Sequence, residues 1–293
     1  MKAAPFAYSR PATVDEACAL LSADENARVI AGGQSLVPMM AMRLARPTRL
    51  VDIARIASLS YVREDKDGIT IGACTRQAAI ERDKTIASRV PLLARAMPLI
   101  GHAATRARGT IGGSLVHADP AAELPLIAVT LDATLNYRQA GKDHDIAARA
   151  FFKGLMMTAL PNGACLIGVR FPVWPGKLGT GFHEVNARRS DFAFVAAAAQ
   201  LELDAAGKCR RIAICVGAAT EVPIRLDSAE KELTGGPLDG KKVVDAVRAA
   251  LSDIEPLDDL HATAAYRRRA AVTLAARAIA DAKSEAMADA NAH

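Results

Sequence analysis

Two glycine-centred stretches constrain this chain more than any other feature. Ala31-Gly32-Gly33-Gln34-Ser35 follows a short apolar run, and Thr110-Ile111-Gly112-Gly113-Ser114 leads into Leu115-Val116-His117-Ala118-Asp119-Pro120-Ala121-Ala122-Glu123-Leu124-Pro125. A glycine pair lets the backbone approach a bulky anion with no Cβ in the way, and the small hydroxyl or amide side chains that follow can donate hydrogen bonds. Together the stretches read as one phosphate cradle built from two loops, suited to the pyrophosphate of a dinucleotide. A Rossmann site is the competing reading, since Asp52 lies about 20 residues beyond Gly33, where that fold keeps its ribose-binding acid. The G-x-G-x-x-G spacing is absent from Ala31 to Leu36, so Asp52 is read as a strand-end residue.

The local pattern places both stretches. Thr13-Val14-Asp15-Glu16 matches a capping box, with Ala17, Leu20 and Leu21 at helical spacing behind it. A short strand over Arg28 to Ile30 runs into the first glycines, a buried, Met-rich helix is expected over Leu36 to Ala45, stopped near Pro47, and Leu50 to Ile53 is the next strand. Met39, Met40 and Met42 are read as core filling. A second unit begins near Leu59, with a strand at Ile69 to Ile71, a helix capped by Thr75, and the second glycine stretch. Glu123 to Leu131 reads as a buried helix, with strands at Ala133 to Tyr137 and Cys165 to Phe171. Pro172, Pro175, Gly176, Gly179 and Gly181 cluster as a domain boundary. Beyond it come two hairpin-like strands, Phe194 to Leu203 and Arg211 to Val216. Helices follow at Ser228 to Leu233, Lys242 to Leu251 and Thr263 to about Ala282, with a frayed tail after them.

Composition narrows the function classes. At 293 residues the chain is long enough for two domains. Only 4% of residues are aromatic, which leaves few platforms for stacking bases, and the net charge of +5 is spread along the chain. A nucleic-acid binder is therefore disfavoured, and the run Arg267-Arg268-Arg269 is read as a solvated helix face or a partner contact. The five cysteines form no C-x-x-C pair, so reduced thiols are expected, with no iron–sulfur cluster and no metal site in this chain. No apolar run is long enough to span a bilayer, and a cytoplasmic protein is expected.

The wording A-G-G-Q-S and R-x-R-G-T-I-G-G-S-L-x-H-A-D-P-A-A-E-L-P resembles the FAD-binding medium subunit of the molybdenum hydroxylases, the family of carbon monoxide, xanthine and aromatic-heterocycle dehydrogenases. The resemblance spans essentially the whole chain. Phe182-His183-Glu184-Val185-Asn186-Ala187-Arg188-Arg189-Ser190-Asp191-Phe192 is similar to the family's segment after the linker, with Arg188 and Asp191 as its surviving matches, and Tyr266-Arg267-Arg268 to the start of its last helix. The implied fold class is α+β: a two-subdomain, PCMH-type FAD-binding domain at 1–174 (subdomains about 1–57 and 58–174), then a C-terminal α+β domain at 180–285.

The resemblance also implies a ligand set. The first loop, here Arg28, Val29, Ile30, Ala31, Gly32, Gly33, Gln34 and Ser35, wraps the FAD pyrophosphate. Thr110, Gly113 and Ser114 add hydrogen bonds from the second loop, and Glu123 binds the adenosine side with His117 and Asp119 beside it. Leu166 and Ile167 fall where relatives pack a strand near the flavin, and His183 falls where some of them place a lysine. His102 and His117 are either flavin neighbours or satisfied structural donors. No nucleophile or general base is expected here, because the flavin carries the redox chemistry. The implied role is electron transfer from 2Fe–2S clusters in a small subunit, fed by a molybdenum-cofactor large subunit, to an acceptor such as NAD or a quinone, in a dimer of heterotrimers. A self-contained FAD oxidase or dehydrogenase is the alternative, and an interaction protein that has lost its ligand is a third.

Overall fold

A computed structural model of the chain describes residues 2–290. The first unit is a three-stranded parallel sheet. β1 (Ala7–Ser9), α1 (Val14–Ser22), β2 (Arg28–Ile30), α2 (Leu36–Ala41) and β3 (Arg49–Asp52) follow one another, and β3 lies between β1 and β2. The capping box forms at α1: Thr13 Oγ1 accepts from the Glu16 amide, and Glu16 reaches back to the amide of Ala12. Helix α2 is shorter and more exposed than its apolar sequence predicts. Arg43 takes a left-handed conformation (φ 60°) that ends it, Met40 is buried, and Met42 and Leu44 face solvent. An apolar run marks a buried helix only if another element covers it, and this outer side has no cover.

The second unit carries β4 (Val62–Glu64), β5 (Gly68–Gly72), the short helices α3 (Gln77–Arg82), α4 (Lys84–Arg89), α5 (Pro91–Ala96), α6 (Ala103–Arg108), α7 (Ile111–His117) and α8 (Glu123–Thr130), then β6 (Thr134–Gln139) and β7 (Lys142–Ala147). It closes with α9 (Ala148–Phe151), the small hairpin of β8 (Phe152–Gly154) and β9 (Met157–Thr158), and β10 (Cys165–Pro172). Its five strands pair antiparallel in the order β4-β5-β10-β6-β7. Thr75 does not cap α3; its hydroxyl donates to the carbonyl of Tyr61, and the helix starts after Arg76.

The C-terminal unit is an antiparallel sheet of β11 (Leu178–Asn186), β12 (Ala193–Leu203), β13 (Cys209–Gly217) and β14 (Ile224–Arg225), with α10 (Asp227–Leu233), α11 (Gly240–Ala250) and α12 (Ala264–Ala290). Helix α12 runs beyond the expected Ala282, and the end of the expected tail lies outside the described residues. The sheet is not an isolated unit. Val195, Ala197, Ala199 and Leu201 pack toward α12, while Ala196 and Ala198, on the opposite face, join the core of the second unit with Phe182 and Cys215. A strand of alanines is the expected result where both faces are covered at close range.

Gly179 and Gly181, the last two glycines of the boundary cluster, are strand residues. Both lie inside β11, on the face beneath α12. A Cβ at Gly181 would overlap the carbonyl oxygen of Ala278 and come within 2.7 Å of its carbon; a Cβ at Gly179 would meet Ala282 in the same way. These glycines let a 27-residue helix sit directly on the strand. Gly181→Ala is expected to cost about 1–3 kcal/mol by overpacking, read as a lower urea midpoint, with Gly240→Ala, which opens into free space, as the unchanged control. An unmoved midpoint for Gly181→Ala would mean that the helix is not seated there.

All five cysteines are buried. Burial pushes the thiols of Cys74, Cys165 and Cys215 up to about 12 and that of Cys209 up to about 11. They are protonated core side chains at neutral pH.

Candidate functional site

The two glycine stretches meet. Strand β2 ends at Ile30, Gly33 turns with φ +71°, and α2 begins at Leu36. Between them, the amides of Gly32, Gly33, Gln34 and Ser35 have no acceptor among the described residues, while the side-chain amide of Gln34 donates back to Gly32 at 3.1 Å. Gly32 lies against the second stretch: a Cβ there would overlap the carbonyl oxygen of Arg108 and come within 2.8 Å of Gly109 Cα. On the other side, Thr110 caps α7 by accepting from Gly113, and the amide of Gly112 donates to Ala73. Helix α7 closes through a left-handed Ala118 (φ 51°), and Asp119 turns the chain into α8 by accepting from Ala121 at 2.8 Å.

These loops wall a cavity of about 680 Å³, within the roughly 300–1,000 Å³ of sites that hold drug-sized ligands and cofactors. Its lining includes Arg28, Val29, Ile30, Ala31, Gly32, Gly33, Gln34, Ser35, Thr110, Gly113, Ser114, His117, Asp119, Glu123 and Leu166. Residues that sequence reasoning missed complete it. Gln77 on α3 presents a buried amide oxygen with no partner. Leu160 to Ala164 form the approach to β10, and the C-terminal unit contributes a wall of its own through Ser190, Asp191 and the 70% exposed Phe192. The family-like segment at 182–192 carried that signal, but only the tertiary fold shows which of its residues reach the cavity.

Two expected residues lie elsewhere. Ile167 packs against the core of the first unit, and its carbonyl accepts from Ala73. His183 points the other way, with Nε2 2.8 Å from Asp281 Oδ2 on α12. Strand alternation is the reason: Gly179, Gly181 and Val185 share the face toward α12, so His183 does too, and Glu184 takes the face toward the second unit. His102 and His117 both line the cavity, and burial pulls the imidazole of His117 below its ordinary range while Asp119 opposes it only in part. Asp52 stays at its strand end, accepting from the Tyr8 hydroxyl and the Ala54 amide, and borders a smaller neighbouring hollow of about 550 Å³ on the far side of the first loop.

The donor set fits FAD. Four unpaired amides at a glycine turn suit a pyrophosphate, and the lining is otherwise largely apolar. Among the described residues there is no group of three or more His, Cys, Asp or Glu that could hold a metal ion, and no helix is long and apolar enough to cross a membrane.

Comparison with known proteins agrees with the geometry. The family described as the FAD binding domain in molybdopterin dehydrogenase matches residues 4–174, and the CO dehydrogenase flavoprotein C-terminal domain matches residues 180–282. The chain is 36% identical to the 6-hydroxypseudooxynicotine dehydrogenase complex subunit alpha of Paenarthrobacter nicotinovorans, over 96% of each chain. It is 33% identical to the carbon monoxide dehydrogenase medium chain of Afipia carboxidovorans, over 96% of this chain and 98% of that one. Among solved structures, quinoline 2-oxidoreductase from Pseudomonas putida 86 superposes with a TM-score of 0.93 at 34% identity, covering 98% of this chain and 100% of the other.

Proposed function

The chain belongs to the family of FAD-binding medium subunits of the molybdenum hydroxylases, and on that premise we propose that it relays electrons from the 2Fe–2S clusters of a small partner subunit to an external acceptor such as NAD or a quinone. When bound, FAD supplies the redox chemistry. The observation that carries the reading is the set of unpaired amides at Gly32 to Ser35, residues in the wall of a cavity of cofactor size. In this reading Arg28 to Ser35 hold the pyrophosphate, Thr110, Gly113 and Ser114 add donors, and Glu123, with His117 and Asp119 beside it, serves the adenosine side. Leu166 supplies apolar contact, and Ser190 to Phe192 close the site from the C-terminal unit.

Residues 1–174 act as the FAD-binding domain, in subdomains of about 1–57 and 58–174, and 180–285 as the C-terminal domain. The two matched ranges and the separate sheets support that division. Substrate is oxidised on a large molybdenum-cofactor subunit, so no catalytic side chain is assigned here. We place the complex in the cytoplasm as a dimer of heterotrimers. The relatives, a dehydrogenase complex subunit and a medium chain, favour partners over a self-contained oxidase.

Affinity purification of the tagged chain from its native host tests this. The expected result is co-purification of two further subunits, with flavin, molybdenum and iron all present. A chain that purifies alone, holds FAD and turns over a substrate unaided would overturn the relay in favour of the oxidase.

A further inference from the structure

The smaller hollow beyond the first glycine loop has a chemistry that the FAD reading leaves unused. Strands β2 and β3 are parallel neighbours, with Ile30 opposite Asp52 at their carboxyl ends. Ligands of open parallel sheets bind beyond that edge, where the chain turns away and leaves a crevice. Here the crevice measures about 550 Å³, with the loop that follows β2 on one side and Asp52, Ala54 and Arg55 at the end of β3 on the other. That volume suits a nucleotide. The hollow shares only residues 30–34 with the FAD cavity.

Its charge is one-sided. Arg55, Arg76 and Arg108 stand in the wall against a single acid, Asp52. The guanidiniums of Arg55 and Arg108 make no hydrogen bond and no ion pair among the described residues. Arg76 donates from Nη1 to the carbonyl of Arg108, which brings these two residues together and leaves the other N–H groups of Arg76 without a partner. The same carbonyl is the one that a Cβ at Gly32 would overlap, so the pair is seated directly behind the loop. Asp52 accepts from the Tyr8 hydroxyl at 2.5 Å and from the Ala54 amide at 2.9 Å, and it pairs with none of the three arginines. A carboxylate has lone pairs to spare after two such bonds. Elsewhere in the chain enclosed arginines meet acids, as Arg106 meets Glu81 and Arg225 meets Glu230. Here the counter-charge has to come from a ligand.

We propose that this hollow binds the polyphosphate of a nucleotide, as a second ligand beside the cofactor. Planar guanidiniums match phosphate oxygens two at a time, which is the part of Arg55, Arg76 and Arg108. Asp52 accepts from a ribose hydroxyl, and Val37 and Pro38 give the nucleoside an apolar side to lie against. The inference goes beyond the electron relay and does not depend on it, because none of these side chains belongs to the FAD ligand set.

Equilibrium dialysis of labelled ADP against the purified, flavin-loaded complex tests it, at low ionic strength, where exposed charges are least screened. Saturable binding at one site per copy of this chain is expected, with the flavin retained. Arg55→Gln and Arg108→Gln should each weaken ADP binding by about tenfold or more, the worth of a charge-assisted hydrogen bond. Arg277→Gln, which removes an exposed cation on α12, should leave it unchanged. A circular dichroism spectrum equal to that of the wild type shows that each variant is folded. Inorganic pyrophosphate separates the two sources of phosphate: Asp52→Asn should weaken ADP binding and leave pyrophosphate binding as it was. Pyrophosphate that binds as tightly as ADP would mark a site for free phosphate and overturn the nucleotide. Absence of saturable binding, or arginine variants that bind as the wild type does, would overturn the inference. Loss of flavin in step with ADP uptake would overturn it too, by placing ADP in the FAD cavity.

Discussion

Arg267→Ala is expected to destabilise the chain by about 3 kcal/mol or more, because two buried carbonyls lose their donor at about 1–3 kcal/mol each. Arg267 is 3% exposed. Its guanidinium donates to the carbonyls of Phe194 and Ala218, the latter at 2.8 Å, to that of Ala262 at 3.4 Å, and to Asp259 at 2.6 Å. One side chain thus ties α12 to the start of β12 and the end of β13. Ala218 in turn donates to the carbonyl of Pro120, so the tie extends to the turn that precedes Glu123. Arg267→Lys keeps the charge but cannot reach the same carbonyls with one ammonium, and should recover only part of the loss. Urea unfolding followed by circular dichroism provides the measurement, and an Arg267→Ala midpoint equal to that of the wild type would contradict the assignment.

The second large effect is on cofactor retention. Gly32→Ala places a methyl group against the carbonyl of Arg108 and the Cα of Gly109, both main-chain atoms that cannot swing aside. The two loops must separate, and the unpaired amides at Gly32 to Ser35 lose their common focus. Affinity for FAD is expected to fall about a hundredfold, equivalent to about 2.7 kcal/mol, while the fold persists. Flavin content after gel filtration, set against an unchanged far-ultraviolet spectrum, measures it. A variant that keeps full flavin occupancy would show that the loops do not need their close approach.

Local signals in the sequence gave local structure correctly. The capping box at Thr13, the strand over Arg28 to Ile30 and the start of α8 at Glu123 depend on neighbours within a few residues, and all three form where the pattern puts them. The glycine loops were legible as a pair because each carries its own chemistry. Readings that needed to know what lies across the gap failed. The Arg267 to Arg269 run looks solvated on a helix, yet only Arg269 is exposed, while Arg268 donates to the carbonyls of Leu251, Ser252 and Ile254. Gly179 and Gly181 read only as part of a domain boundary, and nothing local shows that a helix lies across them. His183 and Glu184 are adjacent letters on opposite faces of a strand, and a one-residue choice decides which of them reaches the cavity side.

The buried cysteines have a practical consequence. With every native thiol enclosed and protonated, maleimide chemistry at neutral pH has no target on the folded surface. A single cysteine introduced just beyond α2, at the exposed Leu44 for example, would take one fluorophore or spin label without first deleting any native cysteine. The distance from that label to the flavin could then be followed in the assembled enzyme.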